Sequence, residues 1–246
     1  MPQTVRANAK SLPGPDPVSG LRFAPLDFTR PAGSQIFDTL KAAILRMILP
    51  PGCFLSESEI ASKFGASRTP VREAFMQLRE AGLVTTLPSR GNFVTRLNRE
   101  KILEARFLRE AIEVANVCRL VEVGLPPSSQ AALRKNLIDQ GLAITQQDDL
   151  RFRLLDDRFH GLLAEATGYP RVAHVLEREK MLLDRLRALS LRDKGHQNRL
   201  LSEHRQILDA VLLQDQAAAL AITKAHLSSI LETLSSLAAR HQDYFD

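Results

Sequence analysis

Between Ser56 and Val94 the chain carries local signals in an order that leaves few folds open. Ser56 followed three residues later by Glu59 is a capping box, in which a hydroxyl and a carboxylate satisfy the free amides of a helix start. The short helix it opens runs through Ile60, Ala61 and Phe64 and stops at Gly65, a residue free to take the left-handed backbone that ends helices. After one more residue, SRTPVREAFMQLREAG reads as a second helix with Pro70 near its start. A proline within a helix normally removes a needed amide, but first-turn amides have no intrahelical partner. With Ser67 as N-cap, Pro70 takes the third helical position and marks a helix start. Arg68 and Arg72 then share one face at the N-terminal end, while Val71, Ala74, Phe75 and Leu78 can face inward.

Helix, glycine turn, helix is the helix-turn-helix arrangement. Ahead of it, Ile36, Leu40, Ala43, Ile44 and Met47 recur at helical spacing from Ser34 until Leu49-Pro50-Pro51-Gly52 ends the run. Behind it, Leu83–Leu87 and Asn92–Thr95 are β-prone segments around the turn Pro88-Ser89-Arg90-Gly91. A hairpin after a helix-turn-helix makes a wing. In such proteins the first residues of the second helix reach base edges, where paired arginines suit guanine or phosphate, and a wing-tip arginine beside a glycine suits the minor groove. Arg68, Thr69, Arg72, Arg90 and Gly91 are the candidate DNA contacts; the simpler alternative for the arginines is a solvated pair. Charge agrees: through Leu97 the chain has 12 Lys+Arg against 7 Asp+Glu, and beyond it 21 against 21, so the net +5 is entirely N-terminal. Residues 1–32, with six prolines and no periodicity, are expected to form a flexible arm whose Arg6, Lys10, Arg22 and Arg30 are solvated or brush the nucleic acid.

From Asn98 onward only helical patterns appear, over about 99–123, 128–147, 149–167, 171–190, 196–213 and 215–241. The expected fold class is mainly α: a winged helix-turn-helix (three helices plus a hairpin wing) over 33–97, then an all-α antiparallel bundle over 98–246. Asp156 and His160 in LLDDRFHGLL lie four apart on one helix face among apolar residues, and a carboxylate and an imidazole aimed at a core need partners. His204 in SEHRQIL and His226 in AHLSSIL also sit beside apolar positions. Converging, these four make a site for Zn²⁺, or else Ni²⁺ or Mn²⁺, with room for water or an anion; isolated satisfied histidines or a structural Asp–His bond are the alternatives. Asp157 is a rival ligand. Arg109 in LREAIE can form a surface pair with Glu113. Cys53 and Cys118 lack CxxC spacing and a nearby histidine, and read as two buried thiols. No window approaches the roughly 18–20 apolar residues of a membrane span, and the start lacks a secretory pattern, so the expectation is a cytoplasmic protein without a membrane partner.

The segment LPPGCFLSESEIASKFGASRTPVREAFMQLREAGLVTTLPSRGNFV strongly resembles the winged helix of the GntR family of bacterial transcription regulators, with PPG, SESEIA, SRTPVREA, LREAGLV and RGNFV in order over residues 34–97. The resemblance implies that Arg68 and Arg72 contact operator DNA and that the wing at Arg90 and Gly91 assists. Ser58 departs from it, standing where the family often has a DNA-contacting arginine. The helical remainder is similar to the FadR-type (FCD) ligand-binding domain, whose metal-binding members carry D-x-x-x-H, E-H-x-x-I and a last histidine, here Asp156/His160, Glu203–Ile207 and His226. That pattern favours Asp156 over Asp157, leaves His174, His196 and His241 as surface or loop residues, and matches Arg109 to a position that faces the effector cavity. Thr167-Gly168-Tyr169-Pro170 lacks the asparagine common after the D-x-x-x-H helix. The implied protein is a homodimeric regulator, mostly a repressor among relatives, whose grip on double-stranded operator DNA responds to a small carboxylate at the metal. The alternatives are a regulator for which the metal is itself the signal and, from another class, a metalloenzyme, since open-position metals activate water.

Overall fold

The local signals resolve into three helices and a small sheet. In the computed structural model, which describes Val18, Leu21, residues 23–191 and residues 193–246, the order is α1 (Ala32–Leu45), β1 (Phe54–Leu55), α2 (Glu57–Phe64), α3 (Arg68–Glu80), β2 (Val84–Leu87) and β3 (Gly91–Val94). Ser56 Oγ accepts from Glu59 N at the start of α2, and Gly65 ends it in the left-handed conformation at φ 60°. Ser67 caps α3 by its extended backbone alone, without a side-chain bond. Ile60, Phe64, Val71, Phe75 and Leu78 are buried together with Leu55 and Val94 as the core of this unit.

The wing pairs Val84 with Val94 and Leu87 with Gly91. It is three-stranded, not two-stranded, because β1 pairs antiparallel with β3 through Phe54↔Phe93 and Leu55↔Asn92. Gly91 holds φ 98°, and a Cβ there would lie 2.7 Å from the Phe54 ring, so both backbone and packing require glycine.

The proposed flexible arm is only partly open to description, since Arg6, Lys10 and Arg22 lie outside the described residues. Within its expected range Phe23 stacks on Phe64 with ring centroids 4.5 Å apart, while Phe28, nearer α1, is fully exposed.

The second unit is helical: α4 (Arg99–Val123), α5 (Pro127–Gln146), α6 (Asp149–Ala166), α7 (Pro170–Ser190), α8 (Lys194–Leu212), α9 (Gln216–Ser228) and α10 (Ile230–Arg240), closed by a 3₁₀ turn at Gln242–Tyr244. Two expected boundaries shift. Asp193, whose carboxylate accepts from Gly195 N, caps α8 and takes Gly195 into the first turn. The single helix expected over 215–241 breaks at Ser229, where the hydroxyls of Ser228 and Ser229 bond back to the Lys224 and His226 carbonyls. Chain contacts divide into one unit through Ala42 plus Ile48–Thr95 and another of Ala43–Met47 plus Arg96–Asp246.

In the second unit α4 packs against α6, α7, α8 and α9. Its buried positions change character along its length: Ile102 and Ala105, then Glu113 and Asn116, then Val117 and Leu120. A polar layer thus lies between two apolar clusters, one built on Leu97, Ile102, Leu183, Leu186 and Leu234, the other on Val117, Leu120, Phe152, Phe159 and Leu208. Cys53 is buried as expected, but Cys118 is half-buried; both are free thiols. Among the described residues no helix is long and apolar enough to cross a membrane.

Candidate DNA-reading surface and candidate metal centre

In the first unit α3 presents Arg68, Thr69 and Arg72 to solvent, and Arg90 stands exposed at the wing tip. Arg68 lines a cleft with Glu57, Ser58, Thr86 and Asn92, between the start of α3 and the wing. Arg72 is not a free arginine: its Nε lies 3.2 Å from Glu57 Oε2, while the side chain remains 66% exposed. Glu57 also accepts from Asn92 Nδ2 at 3.5 Å, and Thr86 Oγ1 donates to Asn92 Oδ1 at 2.6 Å. This chain of contacts joins α2, α3 and β3 and fixes the stem of Arg72, leaving its terminal nitrogens outward. An exposed pair of this kind contributes little to stability; its effect is on where the guanidinium points.

In the second unit, one nitrogen from each of His160, His204 and His226 lies within 4.8 Å of the others, and all three rings are buried. The outer nitrogens are held. His160 Nδ1 is 2.5 Å from Glu113 Oε2, His204 Nδ1 is 2.9 Å from Gln140 Oε1, and His226 Nδ1 is 2.8 Å from Glu203 Oε2. The Nε2 atoms therefore turn inward, with those of His160 and His226 3.2 Å apart. A carboxylate only accepts, so Glu203 favours Nδ1–H on His226 and leaves a lone pair on its Nε2, while the charge of Glu113 beside His160 Nδ1 favours the proton on that side of its ring. His204 Nε2 is buried with no hydrogen-bond partner and lies 3.5 Å from Asp156 Oδ1. Among the described residues these three histidines form the group that could hold a metal ion, and Asp156 touches it through His204 while its other oxygen accepts from Arg187. Two nitrogens at about 2.0–2.1 Å from a common Zn²⁺ would lie roughly 3.3 Å apart, close to the separation seen.

Charge reinforces the arrangement. Burial pushes the Glu113 carboxyl up, but Arg109 and His160 outweigh it and hold it well below the usual carboxylate range. Burial likewise raises Asp156, and Arg187, His160 and His226 pull it below its ordinary value. Burial lowers His160 despite Glu113, and burial with the neighbouring His226 and His160 drives His204 well below the usual imidazole value. Neutral imidazoles and ionised carboxylates are the forms that bind metal.

Asp157 does not join the histidines: Arg187 Nη1 lies 2.5 Å away and Lys180 Nζ 2.9 Å. Arg187 also pairs with Asp156 and Asp184. Arg109 is paired with Glu113, but Glu113 is buried and Arg109 is half-buried, so the pair does not sit at the surface. A small cavity of about 40 Å³ is lined by Arg106, Arg109, Asp156, His160, Arg187 and His226. His196, expected at the surface, is half-buried and lines the same cavity. His174 and His241 are exposed as expected. Arg187 and Gln140 were missed by sequence reading, although each is a polar residue on an otherwise apolar stripe, beside Leu183 and Leu186 or Leu133, Leu137 and Ile144.

Comparison with known proteins places these features in two adjoining matches. Residues 32–94 match the model for bacterial regulatory proteins of the gntR family, and residues 104–229 match the FCD domain. The HTH-type transcriptional repressor RspR of Escherichia coli (strain K12) is 33% identical over 89% of this chain and 96% of its own. A regulator in an unstable DNA locus of Streptomyces ambofaciens is 34% identical over 86% of this chain and 88% of its own. Among solved structures, a putative GntR transcriptional regulator from Rhodococcus sp. RHA1 superposes with a TM-score of 0.66 at 26% identity, covering 82% of this chain and 97% of that one.

Proposed function

This chain belongs to the gntR family of bacterial regulatory proteins, a DNA-binding transcriptional regulator with an FCD domain behind its winged helix, and from that premise we propose that it is a homodimeric repressor controlled through a divalent metal in the helical unit. Each subunit offers α3 to one half-site of a palindromic operator, with Arg68, Thr69 and Arg72 at the groove and Arg90 and Gly91 at the flanking backbone or minor groove. His160, His204, His226 and Asp156 hold the metal, Zn²⁺ by its preference for imidazole and carboxylate, with Ni²⁺ or Mn²⁺ as the other candidates. The bound ion supplies a positive, Lewis-acidic centre for a small carboxylate, and Arg109 supports the same anion from α4. The observation that supports this reading is the buried cluster of His160, His204 and His226, in which His204 Nε2 has no hydrogen-bond partner and lies 3.5 Å from Asp156 Oδ1.

The test is elemental analysis of protein purified and reconstituted with metal, followed by operator binding measured by fluorescence anisotropy with metal, with organic acids, and with both. One equivalent of metal per subunit and an affinity that changes only when both are present is the expected result. Absence of metal after reconstitution refutes the site. The second reading is that the metal alone is the signal. A response to metal without any acid would establish it.

A further inference from the structure

Resting on the metal centre read above, we infer that Gln140 and Asn136 on α5 are positioning residues that lock His204 in the tautomer able to bind a cation. The argument begins at the far end of a hydrogen-bonded chain. The Leu155 carbonyl can only accept, so Asn136, 3.0 Å away, must present its Nδ2 to it. That turns Asn136 Oδ1 toward Gln140, whose Nε2 lies 2.7 Å away and must be the donor. Gln140 then has only its carbonyl oxygen to offer His204, and Nδ1, 2.9 Å from that oxygen, must carry the ring proton. In the neutral ring the proton is thereby excluded from Nε2.

Each member of the relay is buried: Gln140 and His204 are 0% exposed and Asn136 is 4% exposed. An amide flip at either residue would set two like groups against each other in a dry interior, at a cost of about 1–3 kcal/mol for each unsatisfied group. Phe159 stacks on His204 with centroids 4.3 Å apart and an interplanar angle of 25°, which fixes the ring plane while the relay fixes its rotation. The relay starts on Leu155, the residue before Asp156, so one set of bonds registers α5, α6 and α8 around the same point. It leaves the Nε2 lone pair facing Asp156 Oδ1 at 3.5 Å with no hydrogen between them. Nδ1 of His160 and of His226 faces a carboxylate; only that of His204 faces a neutral acceptor, and a neutral acceptor needs the rest of the relay to set its direction.

The experiment uses the full ¹⁵N-labelled chain, stripped of metal by chelation, with His204 assigned through its backbone and its ring read by long-range ¹H–¹⁵N spectra. The expected result is Nδ1–H at neutral pH with no Nε2–H form. In Gln140→Leu the Nε2–H form should appear, and Zn²⁺ affinity from competition with a chromophoric chelator should fall about 10–100-fold. Gln140→Glu keeps an acceptor at His204 Nδ1 and should hold the Nδ1–H form, while recovering only part of the affinity because its second oxygen then faces Asn136 Oδ1. A predominant Nε2–H form in the wild type, or wild-type zinc affinity in Gln140→Leu, overturns the relay. If the wild type binds no zinc, the metal reading fails while the apo spectrum still decides the tautomer. If Gln140→Leu does not fold, the wild-type spectrum decides.

Discussion

Arg72 and Arg187 are both arginines held by carboxylates, and they differ in exposure from 66% to 8% of the side chain. Arg72 meets one partner, Glu57, at the surface of the first unit, whereas Arg187 meets Asp156, Asp157 and Asp184 inside the second. At the surface, water competes with the pairing and the gain is about 0–1 kcal/mol. Inside, each charge has lost its water, and removing one partner strands the others. A side chain that reads DNA must stay available and so leaves little trace in the packing, while one that builds a ligand site is tied into the fold. The sharpest test is Arg187→Met, which strands the buried Asp156 and Asp184 and leaves Asp157 with Lys180. It should cost about 3–5 kcal/mol in urea unfolding of the metal-free protein. A loss below about 1 kcal/mol would place Arg187 with Arg72 and end the contrast.

Removing a ligand separates metal from fold. His204→Ala should lower Zn²⁺ affinity by more than ~100-fold, above the ~10–100-fold expected of a supporting residue, as read by chelator competition. Arg72→Ala should leave zinc affinity unchanged in the same assay. Equal effects from the two variants would mean that the histidines report on folding and not on a site.

The two regions were also legible to different degrees. Ser56 with Glu59, Gly65, and Pro70 act within a turn of themselves, so their positions in sequence already state where α2 and α3 begin and end. Strand β1 is only Phe54–Leu55, and it exists because β3 arrives beside it, which no local pattern encodes. In the bundle, the spacing of Asp156 and His160 placed them on one face, but it could not state that Asp157 is drawn away by Arg187 and Lys180. Nor could it place Gln140 against His204, 64 residues apart. The break at Ser229 depends on hydroxyls choosing backbone carbonyls over solvent, a competition that the apolar periodicity around it conceals.

On the exposed side of the comparison the effect moves from folding to binding. Arg72→Ala should weaken specific operator binding by about 1–3 kcal/mol, one lost bidentate base contact, and alter folding stability by no more than ~0.5 kcal/mol. Anisotropy on operator and on scrambled duplex separates the two kinds of contact: a loss confined to operator marks base reading, whereas an equal loss on both marks a phosphate contact. Glu57→Gln probes the orienting pair, and should produce a smaller loss in the same direction, because Nε loses its charged anchor while the terminal nitrogens remain.

The smallest effect concerns pH and touches one unit only. All six histidines lie beyond residue 150, and none lies in the winged-helix portion. Burial lowers His204 and His160 below their ordinary value in the folded protein, so the unfolded chain, titrating near 6.5, binds more protons as pH falls. The stability these rings contribute is therefore complete above about pH 6.5 and declines below it, with each fully neutral ring contributing a loss of roughly 0.7 kcal/mol between pH 7 and pH 6. The carboxylates Glu113 and Asp156 act in the opposite part of the scale, since both are held below their ordinary values and stay ionised to lower pH than free carboxylates. Amide hydrogen exchange on metal-free protein should show protection falling in α6 and α8 between pH 7 and 6, after correction for intrinsic rates, while α2 and α3 hold theirs. Bound metal should shift the decline to lower pH, because protons must then displace the ion from the same Nε2 atoms. A uniform loss of protection across both units would mean that they unfold together, and that the contrast between Arg72 and Arg187 is one of exposure alone and not of independent stability.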